Sequence, residues 1–188
     1  YISRVAALGA GISDSAPALT VNRLCGSGLQ AILSGAQQIQ LGICKTVVAG
    51  GAESMSRVPY HLPTARFGQR MGDAKAIDAM VGALTCPMNH VHMGVTAENL
   101  AERYSITRAE QDQLSVESHN RAERAIENGY FKQQIVPITL KTRRGEKQFD
   151  TDEHVRASCS LADMEGLKPV FKREGTVTAG NASGLNDA

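Results

Sequence analysis

Tryptophan is absent from these 188 residues, and Phe, Tyr and Trp together make up only 4%. A core must therefore close on small aliphatic side chains and on close backbone approach, which the 18 glycines allow. Charge of one sign is also lacking. The formal net charge is +1, so no basic excess marks a nucleic-acid or membrane-surface binder. No apolar run approaches the roughly 20 residues of a membrane span. The opening YISRVAALGAG is interrupted by Arg4 and does not read as a secretory leader. None of the four cysteines, Cys25, Cys44, Cys86 and Cys159, forms a Cys-x-x-Cys pair. Their irregular spacing argues against a disulfide framework and for thiols in a reducing compartment. Cys86, His90 and His92 lack a regularly spaced fourth ligand, so no metal is expected. What remains, 42% hydrophobic and 21% charged, suits a globular domain that buries a real core.

The pattern along the chain is α/β. Residues 1–10 read as the tail of a helix ended by Gly9 and Gly11. Ala18 to Val21 reads as a short strand. From Gly26 to Gln40, Leu29, Ile32, Leu33, Ala36 and Ile39 recur at helical spacing. Thr46 to Ala49 reads as a second strand, so the three segments predict a βαβ crossover and a parallel or mixed sheet. Residues 56–92 have little period but are too long for plain loop. Two helices follow, one with Thr96 as candidate N-cap, the other with Thr107 and Glu110 in capping-box spacing and Gly129 at its end. Gln134 to Leu140 is strand-like, Arg143 to Gly145 a turn, and Leu161 to Glu165 a short helix. The chain opens in mid-pattern without Met and stops in GNASGLNDA. Both ends are expected to continue into something longer.

The stretch VNRLCGSGLQA, Val21 to Ala31, carries the chemistry. It places Cys25 where a strand turns into a helix. A helix starting there aims its unpaired N–H groups and positive dipole end at the sulfur, and both favour thiolate. Gly26, Ser27 and Gly28 leave room for an acyl group. The Cys25 N–H could bind the oxyanion formed when a thioester carbonyl is attacked. On motif shape alone, a buried structural cysteine accounts for the pattern about as well.

VNRLCGSGLQA resembles the nucleophile motif of the thiolases. GGAESMSRVPY (Gly50 to Tyr60), HMGVTAENLAERY (His92 to Tyr104) and GTVTAGNASGLNDA (Gly175 to Ala188) resemble later motifs of that family, in the same order. Within it the likeness is nearest to acetyl-CoA C-acetyltransferases. The resemblance implies part of a layered fold, a mixed sheet with helices on both faces, with an inserted α+β loop domain. Residues 1–54 would belong to the N-terminal core domain, 55–180 to a loop domain covering CoA and carrying the tetramer-forming segment, and 181–188 to the return into the core. It implies that Cys25 takes an acetyl group from acetyl-CoA or acetoacetyl-CoA. Ser183 would hydrogen-bond the pantetheine of CoA, His92 and Met93 would line the pantetheine and acyl end of the tunnel, and Arg156 would lie near the nucleotide. Ala179 and Leu84 are further candidates for CoA contact. Coenzyme A enters as a thioester substrate, with no covalently bound cofactor.

The family also uses a Gly-His-Pro histidine, a Cys-x-Gly cysteine and an Asn-Glu-Ala-Phe asparagine, and none occurs in this chain. The C-terminal thiolase domain is therefore expected to be missing and the fragment to be inactive alone. The expected whole is a homotetramer of the cytoplasm or an organellar matrix, without nucleic-acid or membrane partners. The rival readings are a 3-ketoacyl-CoA thiolase of fatty-acid degradation, a non-catalytic CoA-binding or scaffold protein, and a redox sensor acting through Cys25.

Overall fold

The computed structural model describes residues 1–188. The chain divides into two compact units, residues 1–83 with 185–188, and residues 84–184.

In the first unit, α1 spans Ile2–Gly9 and α2 spans Ser27–Gln40. Gly11 takes φ +80° just beyond α1, a conformation that suits a residue without Cβ. The apolar spacing of 29–39 is helical as expected, but the helix starts at Ser27 with Gly26 as its N-cap. Gly35 is its buried residue, and a Cβ there would stand 2.8 Å from Val47 Cγ1. The 46–49 segment thus packs directly on α2. Neither it nor 18–21 takes part in a ladder, so the βαβ crossover is not formed as a sheet within these residues. The reason is that pairing is non-local. An apolar β-branched run becomes a strand only when another segment accepts its hydrogen bonds.

The 56–92 stretch is not plain loop. It holds 3₁₀ turns at Met55–Arg57 and Ala65–Phe67, a short antiparallel ladder of β1 (Tyr60–His61) with β2 (Ile77–Asp78), and α3 (Ala79–Ala83). The end of the chain returns to this unit. Ser54 and Asp187 form an antiparallel bridge, flanked by reciprocal backbone hydrogen bonds between Glu53 and Ala188 of 2.6 and 2.9 Å.

In the second unit, α4 spans Met93–Tyr104, α5 spans Arg108–Glu127 and α6 spans Ala162–Glu165. The capping box at Thr107 and Glu110 is present, and Gly129 takes φ +71° after α5. Thr96 is not an N-cap. That role belongs to His92, whose Nδ1 accepts from Gly94 N at 3.0 Å, so α4 begins a turn earlier than expected. An imidazole nitrogen caps as a carboxamide oxygen does, but it is a rarer signal than Thr. β3 (Ile138–Thr142) and β4 (Gly145–Phe149) form a hairpin turning at Arg143 and Arg144.

The core of this unit is small: Val116, Cys159 and Met164, with Leu167 packed against them. Arg108 of α5 braces it, donating to the carbonyls of Met164 and Leu167 and pairing with Asp112 at 2.6 Å. Those carbonyls close α6 and the turn after it, where a cation is favoured.

Candidate active site

Cys25 is exposed, just before α2. Its presentation comes from a hydrogen-bonded turn. Leu24 holds φ +50°, which is rare for a branched side chain and costs of order 1 kcal/mol. Asn22 Oδ1 accepts from Leu24 N at 2.9 Å, and Ser27 Oγ accepts from Arg23 N and donates to Leu24 O at 2.8 and 2.7 Å. Arg23 reaches on to Gln30 Oε1 at 2.7 Å.

This corrects one expectation. The amides of Gly26 and Ser27 do not stand bare beneath the sulfur, because they donate to Arg23 O and Leu24 O, each at 3.0 Å. A tight turn consumes its own first amides before the helix starts, and apolar periodicity carries no sign of that. The signal that was available lies in Asn22 and Ser27, whose side chains are suited to bonding nearby backbone.

The other candidates lie in the second unit. Leu84, His92 and Met93 are brought together: Met93 N donates to Leu84 O at 2.8 Å, and Thr85 pairs with His92 across an antiparallel bridge. The His92 ring stacks on Phe171 with centroids 4.8 Å apart. With Nδ1 occupied as the helix cap, Nε2 is the ring nitrogen left to donate. Phe171, which sequence reasoning missed, also lies against Gly94, where a Cβ would collide with its ring.

Ala179 and Ser183 sit, exposed, on a loop whose start at 175–178 is pinned from α4 and α5. Glu98 Oε2 accepts from Thr176 N at 2.9 Å and Glu98 Oε1 from Val177 N at 2.9 Å. Asn181 Nδ2 donates to Asp112 Oδ1 at 2.9 Å. Arg156 stands apart from these groups in its bonding. Its backbone N donates to His119 Nδ1 at 3.3 Å and its side chain is exposed.

Burial pushes the Glu98 carboxyl up, but the donors of Thr176 and Val177 and the charge of Lys172 outweigh it and leave the group below the usual carboxylate range. Desolvation, with Asp163 nearby, raises the buried Cys159 thiol, which marks it as structural rather than nucleophilic. Asp187 is held low by the Ser56 hydroxyl and amide, so it ties segment 53–56 to the chain end. No group of three or more His, Cys, Asp or Glu side chains is placed to hold a metal ion.

The model of the thiolase N-terminal domain matches residues 1–188. The chain belongs to the thiolase family. It is 61% identical to beta-ketothiolase BktB of Cupriavidus necator over 100% of its own length and 48% of that protein's. It is similar to the crystal structure of the Bacillus anthracis acetyl-CoA acetyltransferase, with TM-score 0.92 and 53% identity over 98% of this chain and 47% of that one. It is also similar to human mitochondrial 3-ketoacyl-CoA thiolase in complex with CoA, with TM-score 0.93 and 42% identity over 100% of this chain and 46% of the other. This thiolase chain therefore spans about half the length of the curated relatives it matches, and its α/β fold is the one those structures share.

Proposed function

We propose that the protein carrying this thiolase N-terminal domain transfers acyl groups between CoA thioesters through a thioester on Cys25. It condenses two acetyl-CoA to acetoacetyl-CoA or runs the reverse thiolysis. The observation that carries this reading is an exposed cysteine on a strained, hydrogen-bonded turn at a helix start, in a chain that matches the thiolase N-terminal domain throughout. In condensation the Cys25 sulfur attacks the thioester carbonyl of acetyl-CoA, CoA leaves as thiol, and the α-carbon of a second acetyl-CoA, having given up a proton, takes the acetyl group from sulfur. In the reverse the sulfur attacks the 3-keto carbonyl of acetoacetyl-CoA, acetyl-CoA leaves after gaining a proton, and free CoA takes the acetyl group.

Leu84, His92, Met93, Ala179 and Ser183 contact the CoA, with Arg156 toward its nucleotide. No metal takes part. The histidine, second cysteine and oxyanion-hole asparagine come from a C-terminal half, and the whole works as a homotetramer in the cytoplasm or an organellar matrix. The domain assignment is residues 1–54 core, 55–180 loop domain and 181–188 core.

Incubation of the full-length protein with acetyl-CoA, followed by peptide mass spectrometry, tests the central step. An acetyl group on Cys25 is the expected result. CoA binding with no label would favour a non-catalytic CoA-binding protein, and a peroxide-sensitive Cys25 with no CoA affinity a redox sensor. The second reading is a 3-ketoacyl-CoA thiolase, since relatives of both names, acetyl-CoA acetyltransferase and 3-ketoacyl-CoA thiolase, match this chain along nearly its whole length. Thiolysis rates on 3-ketoacyl-CoA thioesters of increasing length separate the two.

A further inference from the structure

Glu98 is among the most buried side chains of the second unit, at 3% exposure, and the acyl-transfer reading gives it no task. It lies on α4, whose N-cap His92 and first residue Met93 are candidate CoA contacts. Its carboxylate grips the 175–178 segment through Thr176 N, Thr176 Oγ1 (3.1 Å) and Val177 N. The backbone at Gly175 runs so close to Oε1 that a Cβ there would overlap it.

Beyond Thr176 the loop is held by further hydrogen bonds as far as Ala182, the residue before Ser183. Val177 O accepts from Val170 N at 3.0 Å, Thr178 N donates to Asn181 Oδ1 at 2.7 Å, and Ala182 N donates to Thr178 O at 3.0 Å. Thr178 is wholly buried within this run. Asp112 secures the same turn from α5 through Asn181. Glu98 is thus the direct tie between the helix that His92 caps and the loop that ends at Ser183.

We infer that Glu98 is a positioning residue that holds the two CoA-contacting segments, the start of α4 and the 179–183 loop, in fixed relation to each other. The inference rests on the CoA-binding reading above. A carboxylate suits the task because every group facing it is a donor. Glutamine would turn one oxygen into an NH₂ facing the amides of Thr176 and Val177.

The test uses the full-length protein. Glu98→Gln should raise KM for the CoA thioester about tenfold while kcat stays within about twofold, the pattern of lost ground-state binding. It should also speed amide exchange at Thr176 and Val177. Thr107→Ala, which removes the α5 cap, should lower Tm and leave KM unchanged. An unchanged KM in folded Glu98→Gln, or an equal rise in Thr107→Ala, overturns the inference. Should Glu98→Gln fail to fold, Thr176→Val decides: it keeps the amides and loses the hydroxyl, so KM should rise about two- to threefold, and no rise overturns the inference. A wild-type protein that binds no CoA defeats the functional reading instead. Unaltered exchange at Thr176 and Val177 in Glu98→Gln defeats the positioning role alone.

Discussion

At the scale of single residues, the site depends on Leu24 accepting φ +50° so that Cys25 is presented to solvent. Asn22 stabilises that backbone by accepting from Leu24 N. Asn22→Ala should therefore cost about 1 kcal/mol of stability and lower the rate of acylation at Cys25, read by urea unfolding and by single-turnover labelling. With Cys25 as the proposed acyl carrier, Cys25→Ala in the full-length protein should reduce thiolysis on the order of 10⁴-fold. Steady-state assays with acetoacetyl-CoA check it, and residual activity near wild type would remove Cys25 from the mechanism. Cys25 was legible as a candidate because its neighbours, Gly26 to Gly28, are small and local. The strain at Leu24 was not, since nothing about leucine announces a left-handed conformation.

At the scale of elements, α5 stands on its cap. Thr107 Oγ1 accepts from Glu110 N at 3.2 Å and Glu110 Oε2 accepts from Thr107 N at 2.7 Å. Thr107→Ala should destabilise the protein by about 1 kcal/mol, measured as a shift in urea midpoint at constant m-value.

The α4–loop tie has a pH signature. Glu98's carboxyl is depressed in the folded chain, so its stabilising contribution is complete above the ordinary glutamate value of about 4.3 and is lost as pH falls through the lower folded value. Acid should therefore loosen the 176–182 turn in that window. Amide exchange across a pH series would report it, and the step should vanish in Glu98→Gln. The capping box was readable from two residues at fixed spacing. Glu98 and Thr176 are 78 residues apart, and no periodicity joins them.

At the scale of the whole molecule, much apolar surface is uncovered in this chain. Ile2, Val5 and Leu8 of α1 and Leu29, Ile32, Leu33 and Ile39 of α2 are all exposed. A helix with a strong apolar stripe ordinarily turns it toward a partner. The isolated 188-residue chain should accordingly self-associate and bind a hydrophobic dye, checked by light scattering and fluorescence. On the proposed mechanism Cys25 works with a Gly-His-Pro histidine and a Cys-x-Gly cysteine, motifs that do not occur in these 188 residues, so the isolated chain should also show no thiolysis. Turnover by the isolated 188-residue chain would refute that.

What the sequence by itself determined was local: the helical stripe of α2, the capping box of α5, the turn at Arg143–Arg144 and the small residues around Cys25. Each follows from side chains within a few positions of one another, where sterics and short-range hydrogen bonds act. The family was also legible, from motifs that survive as contiguous strings. Only the tertiary structure decided that His92 caps α4, that Phe171 stacks on it, that Glu98 grips Thr176 and Val177, and that 18–21 and 46–49 stay outside any ladder. Those outcomes depend on which distant segment comes to lie alongside, a matter of packing and burial that no short stretch of residues encodes.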